Sequence, residues 1–296
     1  MKKIVFFGLI ILLYTACHND SDKSPENSST SVIDNFPLNI NYSVVNSYPH
    51  DTTSYTEGFL FHEGSLYESE GHTDEVPSSR SLFGQVNLQT GQIQAKAELD
   101  KTKYFGEGIA FLSGKLFQLT YTTRIGFIYD AKTFKKIGEF TYPSQQGWGM
   151  TTNGKYLIMT DGSNQIRWLD PASSEPLSLI IHYENGDSAS KTIPLIHSVK
   201  TLSVTDNNGP VSDLNEPELI NGFLYVNQYR TYYILKIDTA SGKVIGRLDL
   251  TTLAEEAKNK YPPSAEMNGI AYDSATNKVY ITGKLWPNIY ELKFSY

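Results

Sequence analysis

Cysteine is all but missing from this chain. The single one, Cys17, cannot form an internal disulfide, and no CxxC pair exists to hold zinc or to run redox chemistry. There is no GxxxxGK[ST] loop, no HExxH and no GxSxG, so phosphate-loop, zinc-protease and serine-hydrolase chemistry have no support. The six histidines, at 18, 50, 62, 72, 182 and 197, fall at no metal-ligand spacing. Basic charge is also short: the formal net charge is −7, and an acidic chain without a basic stripe is a poor partner for nucleic acid. Leu-rich helical periodicity is scarce, and the one apolar run, Ile4 to Tyr14, is too short to span a membrane.

The amino terminus stands apart from the rest. Lys2 and Lys3 precede the apolar run, and Leu13-Tyr14-Thr15-Ala16 leads into Cys17. A basic start before a short apolar run is an export signal, and Cys17 stands where a lipoprotein signal peptidase cuts. Residues 1–16 are therefore expected to be a lipoprotein signal peptide, with Cys17 lipidated. Tyr14 fits the recognition box imperfectly, and the alternative is an incidental cysteine inside the signal. Residues 17–37 are mostly Ser, Asp, Asn, Glu and Lys; they cannot bury enough surface to offset their ordering entropy and read as a flexible tether. The expected setting is a bacterial cell envelope, periplasmic or outer, with the membrane reached through the lipid alone.

Residues 38–296 remain, 259 residues, enough for one large all-β domain. They are rich in aromatics, with 20 tyrosines and 14 phenylalanines in the whole chain. One theme recurs five times: a turn delivers a polar or aromatic residue, usually followed by glycine, into a buried-strand run. It reads Glu57-Gly58-Phe59, Glu107-Gly108-Ile109, Trp148-Gly149-Met150, Asn215-Glu216-Pro217 and Asn268-Gly269-Ile270. A second column follows, ending on Gly71, Tyr121, Gly162, Tyr229 and Lys284, and a third carries Asp and Thr-Gly or Ser-Gly turns. Repeats spaced by roughly 40 to 70 residues mean a propeller or solenoid. Four-stranded antiparallel sheets around an axis fit best, so the fold class is all-β, a five-bladed β-propeller. The last repeat has three evident strands, and residues 41–48 are expected to supply the fourth and close the ring. Two segments depart from the pattern: a long insertion, 184–213, with turns at Asn185-Gly186 and Asn207-Asn208-Gly209, and a short helix over 250–260 with a Thr cap and a Pro262-Pro263 stop.

Propeller geometry turns these columns into a site. The start of each blade's first strand and the end of its second lie on the same face. One mouth of the channel therefore gathers Glu57, Glu107, Trp148, Asn215 and Asn268 with Tyr121, Tyr229 and Lys284. Turn and packing roles account equally well for Asn268 before Gly269. Charged Glu107 and Lys284 in a ring of turns need a partner or a task.

At these residues the sequence resembles the plant and bacterial type of glutaminyl-peptide cyclotransferase, or glutamine cyclotransferase, a five-bladed propeller family. The words that carry the resemblance are Tyr55-Thr56-Glu57-Gly58, Leu66-Tyr67-Glu68-Ser69, Ser79-Arg80, Phe105-Gly106-Glu107-Gly108, Gly147-Trp148-Gly149, Thr160-Asp161-Gly162, Leu214-Asn215-Glu216, Asn268-Gly269-Ile270-Ala271 and Thr282-Gly283-Lys284-Leu285-Trp286. Each is weak alone; in this order, over residues 40–296, they are specific. The resemblance implies conversion of an N-terminal glutamine to pyroglutamate with loss of ammonia, by an acyltransferase acting on peptides or proteins. It implies Glu107 as the catalytic acid/base, with Phe105, Trp148, Asn215 and Lys284 in the pocket; the columns add Glu57, Tyr121, Tyr229 and Asn268. The family usually has Gln at the position of Glu57 and Trp at those of Tyr121 and Tyr229, which bears on substrate preference and rate. No cofactor or metal is required for this chemistry. The resemblance admits a structural cation in the channel, for which the sequence offers no ligand set.

Two other readings stay open at this point. A surface binding lipoprotein could keep the propeller without the activity, given the three altered pocket positions. A metal-dependent lactonase-type propeller would need acidic and amide ligands on the axis, which Glu57, Glu107, Asn215 and Asn268 superficially supply, although Lys284 on the same rim argues against it.

Overall fold

The computed structural model describes residues 37–296. The expected signal, Cys17 and nearly all of the tether lie outside the described residues. Five four-stranded antiparallel units follow one another along the chain. Blade one comprises Thr56–His62, Ser65–Glu70, Leu82–Val86 and Ile93–Glu98. Blade two comprises Gly106–Leu112, Lys115–Thr120, Gly126–Asp130 and Lys136–Phe140. Blade three has two short inner strands, Met150–Thr152 and Leu157–Met159, then two long ones, Gln165–His182 and Ser188–Ser203. Blade four runs Leu214–Ile220, Phe223–Gln228, Tyr233–Asp238 and Val244–Asp249. Blade five runs Met267–Asp273, Lys278–Gly283 and Asn288–Phe294, and its outer strand is Tyr42–Pro49 from the start of the domain.

That last pairing, Tyr42 against Phe294 through Pro49 against Asn288, closes the ring as the sequence predicts. The closing strand is held at its end by His50. Its Nδ1 lies 2.8 Å from the Trp286 carbonyl and its Nε2 3.0 Å from Glu68, so blade five is tied to blade one by a buried polar link.

Local chemistry explains the repeat. The turns Glu63-Gly64, Ser113-Gly114 and Asn221-Gly222 have positive φ at both residues, the type I′ geometry whose twist suits a two-residue hairpin. Between third and fourth strands, Asn87, Asp130 and Asp238 accept backbone N–H groups two or three residues on, the Asx turns behind the Thr-Gly and Ser-Gly signals. Apolar residues of adjacent blades then interleave in five buried clusters. Phe59 and Leu66 of blade one meet Ala271, Tyr280 and Ile289 of blade five, so burial is continuous around the ring. At the axis the inner strands approach very closely: a Cβ on Gly108 would lie 2.4 Å from the Met150 nitrogen.

Three features differ from expectation. Most of segment 184–213 is not an irregular insertion: residues 188–203 form a strand paired from His182↔Ser188 onward, and the turns fall at 184–186 and 207–208. Polar alternation and Pro194 hide this strand in the sequence. Ile181 and Ile193 of the hairpin join the core between blades one and two, so it leans back across blade two. The helix is Thr251–Lys260, but it has no side-chain cap; Thr251 donates its hydroxyl to Asp249 instead (2.6 Å). Leu38–Asn39 adds a parallel strand to blade four, for which the sequence gives no signal.

Candidate active site

Four of the five inner strands carry an extra residue at their entrance. Pairing skips between Thr56 and Gly58, Gly106 and Ile109, Leu214 and Pro217, and Met267 and Ile270. A bulge interrupts the alternation of a strand and re-aims a side chain. The skipped positions include Glu57, Glu107, Asn215 and Asn268, the first column of the sequence. Trp148 precedes the short inner strand of blade three and is fixed through Thr160. The Trp148 N–H donates to the Thr160 carbonyl (3.1 Å) and the Gly149 N–H to Thr160 Oγ1 (2.9 Å), while that hydroxyl donates to the Asn215 carbonyl (2.8 Å). Gly162, with φ of 77°, leaves room for the Trp148 ring, which a Cβ there would meet at 2.6 Å.

The first and second columns meet at one cavity of about 300 Å³. Glu57, Phe105, Glu107, Tyr121, Trp148, Asn215, Tyr229 and Lys284 all line it. Asn268 does not: it is buried behind Glu57, donating to the Thr56 carbonyl (3.0 Å) and to Glu57 Oε2 (3.2 Å), and so orients that carboxylate. Tyr55, His72, Thr73 and Glu184 complete the lining and were not singled out from the sequence. Tyr55 belongs to the segment Tyr55-Thr56-Glu57-Gly58; Glu184 comes from the hairpin turn, where no repeat signal exists.

Aromatic rings form the walls. Trp148 and Tyr229 meet edge-on with centroids 5.5 Å apart, and Phe105 lies 6.0 Å from Tyr121 and 6.1 Å from Tyr55. The charged side has one tight pair, Lys284 Nζ to Glu57 Oε1 at 2.5 Å, both side chains buried. The ammonium also lies 4.5 Å from the Tyr55 ring centroid and 5.6 Å from that of Tyr229, a favourable placement over π faces. Burial alone would lower the Lys284 pKa; the Glu57 charge, with Tyr55 and Glu107, raises it instead. Burial lifts Glu57 to about 7 against the pull of Lys284.

Glu107 is set differently. Its backbone is clamped from blade one, where Ser69 Oγ donates to the Glu107 carbonyl (2.6 Å) and the Gly106 N–H donates to Ser81 Oγ (2.7 Å). Its side chain is buried, and Oε2 has no hydrogen-bond partner. Burial raises its pKa well above the ordinary carboxylate value; the Glu57 charge adds to this and Lys284 opposes it. An unpaired buried carboxyl is costly unless it is neutral or has a guest to bond. Asn215 likewise has an unpaired buried Oδ1.

Glu216, next to Asn215, spends its two carboxylate oxygens on the N–H groups of Phe59 (3.1 Å) and Ile270 (3.0 Å). Among the described residues no three His, Cys, Asp or Glu side chains come together to hold a metal ion.

A family model described as glutamine cyclotransferase matches residues 11–193 and 191–294. The chain belongs to this family. It is 31% identical over 258 residues to a glutaminyl-peptide cyclotransferase of Arabidopsis thaliana, covering 84% of this chain and 70% of the relative. Its fold superposes on the crystal structure of Myxococcus xanthus glutaminyl cyclase with a TM-score of 0.72 and 27% identity, over 88% of this chain and 99% of that one. The family's words in the sequence are thus also the structure's clamps: Ser69, Thr160 and Glu216 each fix the backbone of a neighbouring blade.

Proposed function

We infer that this protein is a glutaminyl-peptide cyclotransferase: it converts the N-terminal glutamine of peptides or proteins to pyroglutamate and releases ammonia. The observation that carries the site assignment is Glu107, a buried carboxyl with one unpaired oxygen in an aromatic-walled cavity. In the reaction the α-nitrogen bonds to the side-chain amide carbon, and the bond from that carbon to its nitrogen breaks. One proton must travel from the attacking nitrogen to the departing one. Burial moves Glu107 upward from the ordinary carboxylate range and so favours its protonated form, the form a general acid needs at the leaving nitrogen. Protonated Glu107 gives its proton to the leaving nitrogen and recovers one from the ring nitrogen, ending as it began.

The walls supply the rest. Phe105, Tyr121, Trp148 and Tyr229 hold the glutamine curled, replacing a random encounter of amine and amide with a fixed one, and exclude water that would compete for the carbonyl. Asn215 offers its unpaired Oδ1 as an acceptor for the N–H of the substrate carboxamide. Lys284 places positive charge near the developing oxyanion, held by Glu57. Glu57 and Asn268 act as a positioning pair behind it. This scheme requires no cofactor. The non-catalytic binding alternative has no observation in its favour.

The amino terminus adds a location to this reading. Lys2, Lys3, the apolar run and Cys17 support a lipoprotein signal, and the polar segment after it supports a tether, so the enzyme works at the bacterial cell envelope on exported chains. Incubation of the protein with a Gln-initiated peptide, with ammonia measured enzymatically, tests the activity. Stoichiometric ammonia and pyroglutamate are expected; an intact peptide would refute it.

A further inference from the structure

A second cavity of about 370 Å³ adjoins the reaction cavity, and the two share His72, Phe105 and Glu184. A substrate whose first residue fills the inner cavity must pass its remaining chain across a shared lip, and these residues form one. Glu184 sits there because of the long hairpin of blade three. Its turn is fixed by the bond from the Glu184 N–H to the Lys103 carbonyl (3.3 Å) and by Tyr183 packed edge-on against Tyr104 at 5.5 Å. Thr122 donates to Glu184 Oε1 (2.6 Å), which points the carboxylate in one direction without neutralising it. Among the described residues no lysine or arginine forms an ion pair with Glu184. Lys103 pairs with Asp100 (3.5 Å) and His72 faces Asp74 (3.3 Å), while Lys101, which also lines the outer cavity, donates to the Pro77 carbonyl (3.2 Å) and keeps its charge.

We propose that Glu184 is a specificity-determining residue that reads the residue after the N-terminal glutamine and favours lysine or arginine there. The proposal rests on the cyclotransferase reading. The outer cavity has an apolar side, Phe105, for the stem of a long basic side chain and an uncompensated carboxylate for its head. An acidic side chain at the same place meets the Glu184 charge and the Asp74 carboxylate beyond it. Partly exposed pairs of this kind change affinity by up to about fivefold, so attraction and repulsion together separate the two substrates by about tenfold.

The test compares kcat/KM for three peptides, Gln-Lys, Gln-Ala and Gln-Glu with a common tail, on wild type, Glu184→Gln and Glu184→Lys at low salt. The expected wild-type order is Lys, Ala, Glu, with the difference in KM. Glu184→Gln should compress the Lys-to-Glu ratio to about twofold, whatever its effect on Gln-Ala; Glu184→Lys should invert the order. The acidic net charge of the whole protein also attracts basic peptides, but it cannot produce an inversion on one substitution. A wild type that does not discriminate, or a ratio that survives in Glu184→Gln, overturns the proposal while leaving the cyclotransferase reading intact. Absence of ammonia from all three peptides would refute that reading instead. Calorimetric binding of the same peptides to Glu107→Gln then reads the charge preference without turnover, and equal affinities there would overturn it.

Discussion

Replacing Glu57 by Gln, the residue usual for the family, tests how the site sets its proton. Glu57 becomes ionised above about pH 7, and its negative charge then raises Glu107 further. At an effective dielectric of about 20, two unit charges about 4 Å apart interact by about 4 kcal/mol, and the energy falls as the separation grows. Lys284 opposes this while Glu57 holds it, and the Glu57 charge still acts to raise Glu107. The substitution removes a charge that raises the Glu107 pKa, and the freed Lys284 cation lowers it; both act in one direction. Loss of the Glu107 proton governs the alkaline side of the profile, so that limb should move to lower pH. The assay is kcat/KM against pH for both proteins on one Gln-initiated peptide, so any limb set by the peptide's own amine is common to both. The two carboxyls titrate as a pair, and the limb reports the pair. A limb that stays in place or moves upward would refute the tuning and assign Glu57 to contact with the substrate amine.

Three further outcomes are expected. Gly108→Ala should lower Tm by about 5 °C or more and reduce activity with it, because a Cβ 2.4 Å from the Met150 nitrogen must push blades two and three apart; unchanged melting would contradict the close approach. Glu68→Gln should destabilise by about 3 kcal/mol in denaturant titration by breaking a buried pair. Burial pulls His50 down, but Glu68 outweighs it and the pKa is raised in the folded protein. The stability from His50 is therefore full below about pH 6.5 and lost as pH rises through the folded value, a slope that Glu68→Gln should flatten. Cys17→Ser should abolish metabolic labelling with fatty acid and leave peptide turnover unchanged; persistent labelling would refute the anchor.

The repeat was legible because each blade solves the same local problem. Glycine after Glu57, Glu107, Trp148 and Asn268 marks the close approach of inner strands, and the bulges at Glu57 and Glu107 aim those two side chains into the cavity. Ring closure was legible for a different reason: blade five lacks a strand and residues 41–48 alternate. What the sequence hid is long-range. Nothing local joins Glu57 to Lys284 across 227 residues, nor shows that Asn268 supports Glu57 in place of lining the pocket. The hairpin of blade three escaped because its outer half faces solvent and alternates weakly, so Glu184 seemed to belong to an insertion and not to the site.

The account turns on Glu107 as the group that carries the proton between the two nitrogens. Glu107→Gln preserves size and removes only that capacity, and the Ser69 and Ser81 clamps on its backbone remain in place. Steady-state kinetics of both proteins on a Gln-initiated peptide, with circular dichroism to show a retained fold, measure it most directly. The account predicts a fall in kcat of about a hundred- to ten-thousand-fold with KM changed little. A variant that keeps kcat within threefold of wild type, or loses activity through KM alone, would contradict it.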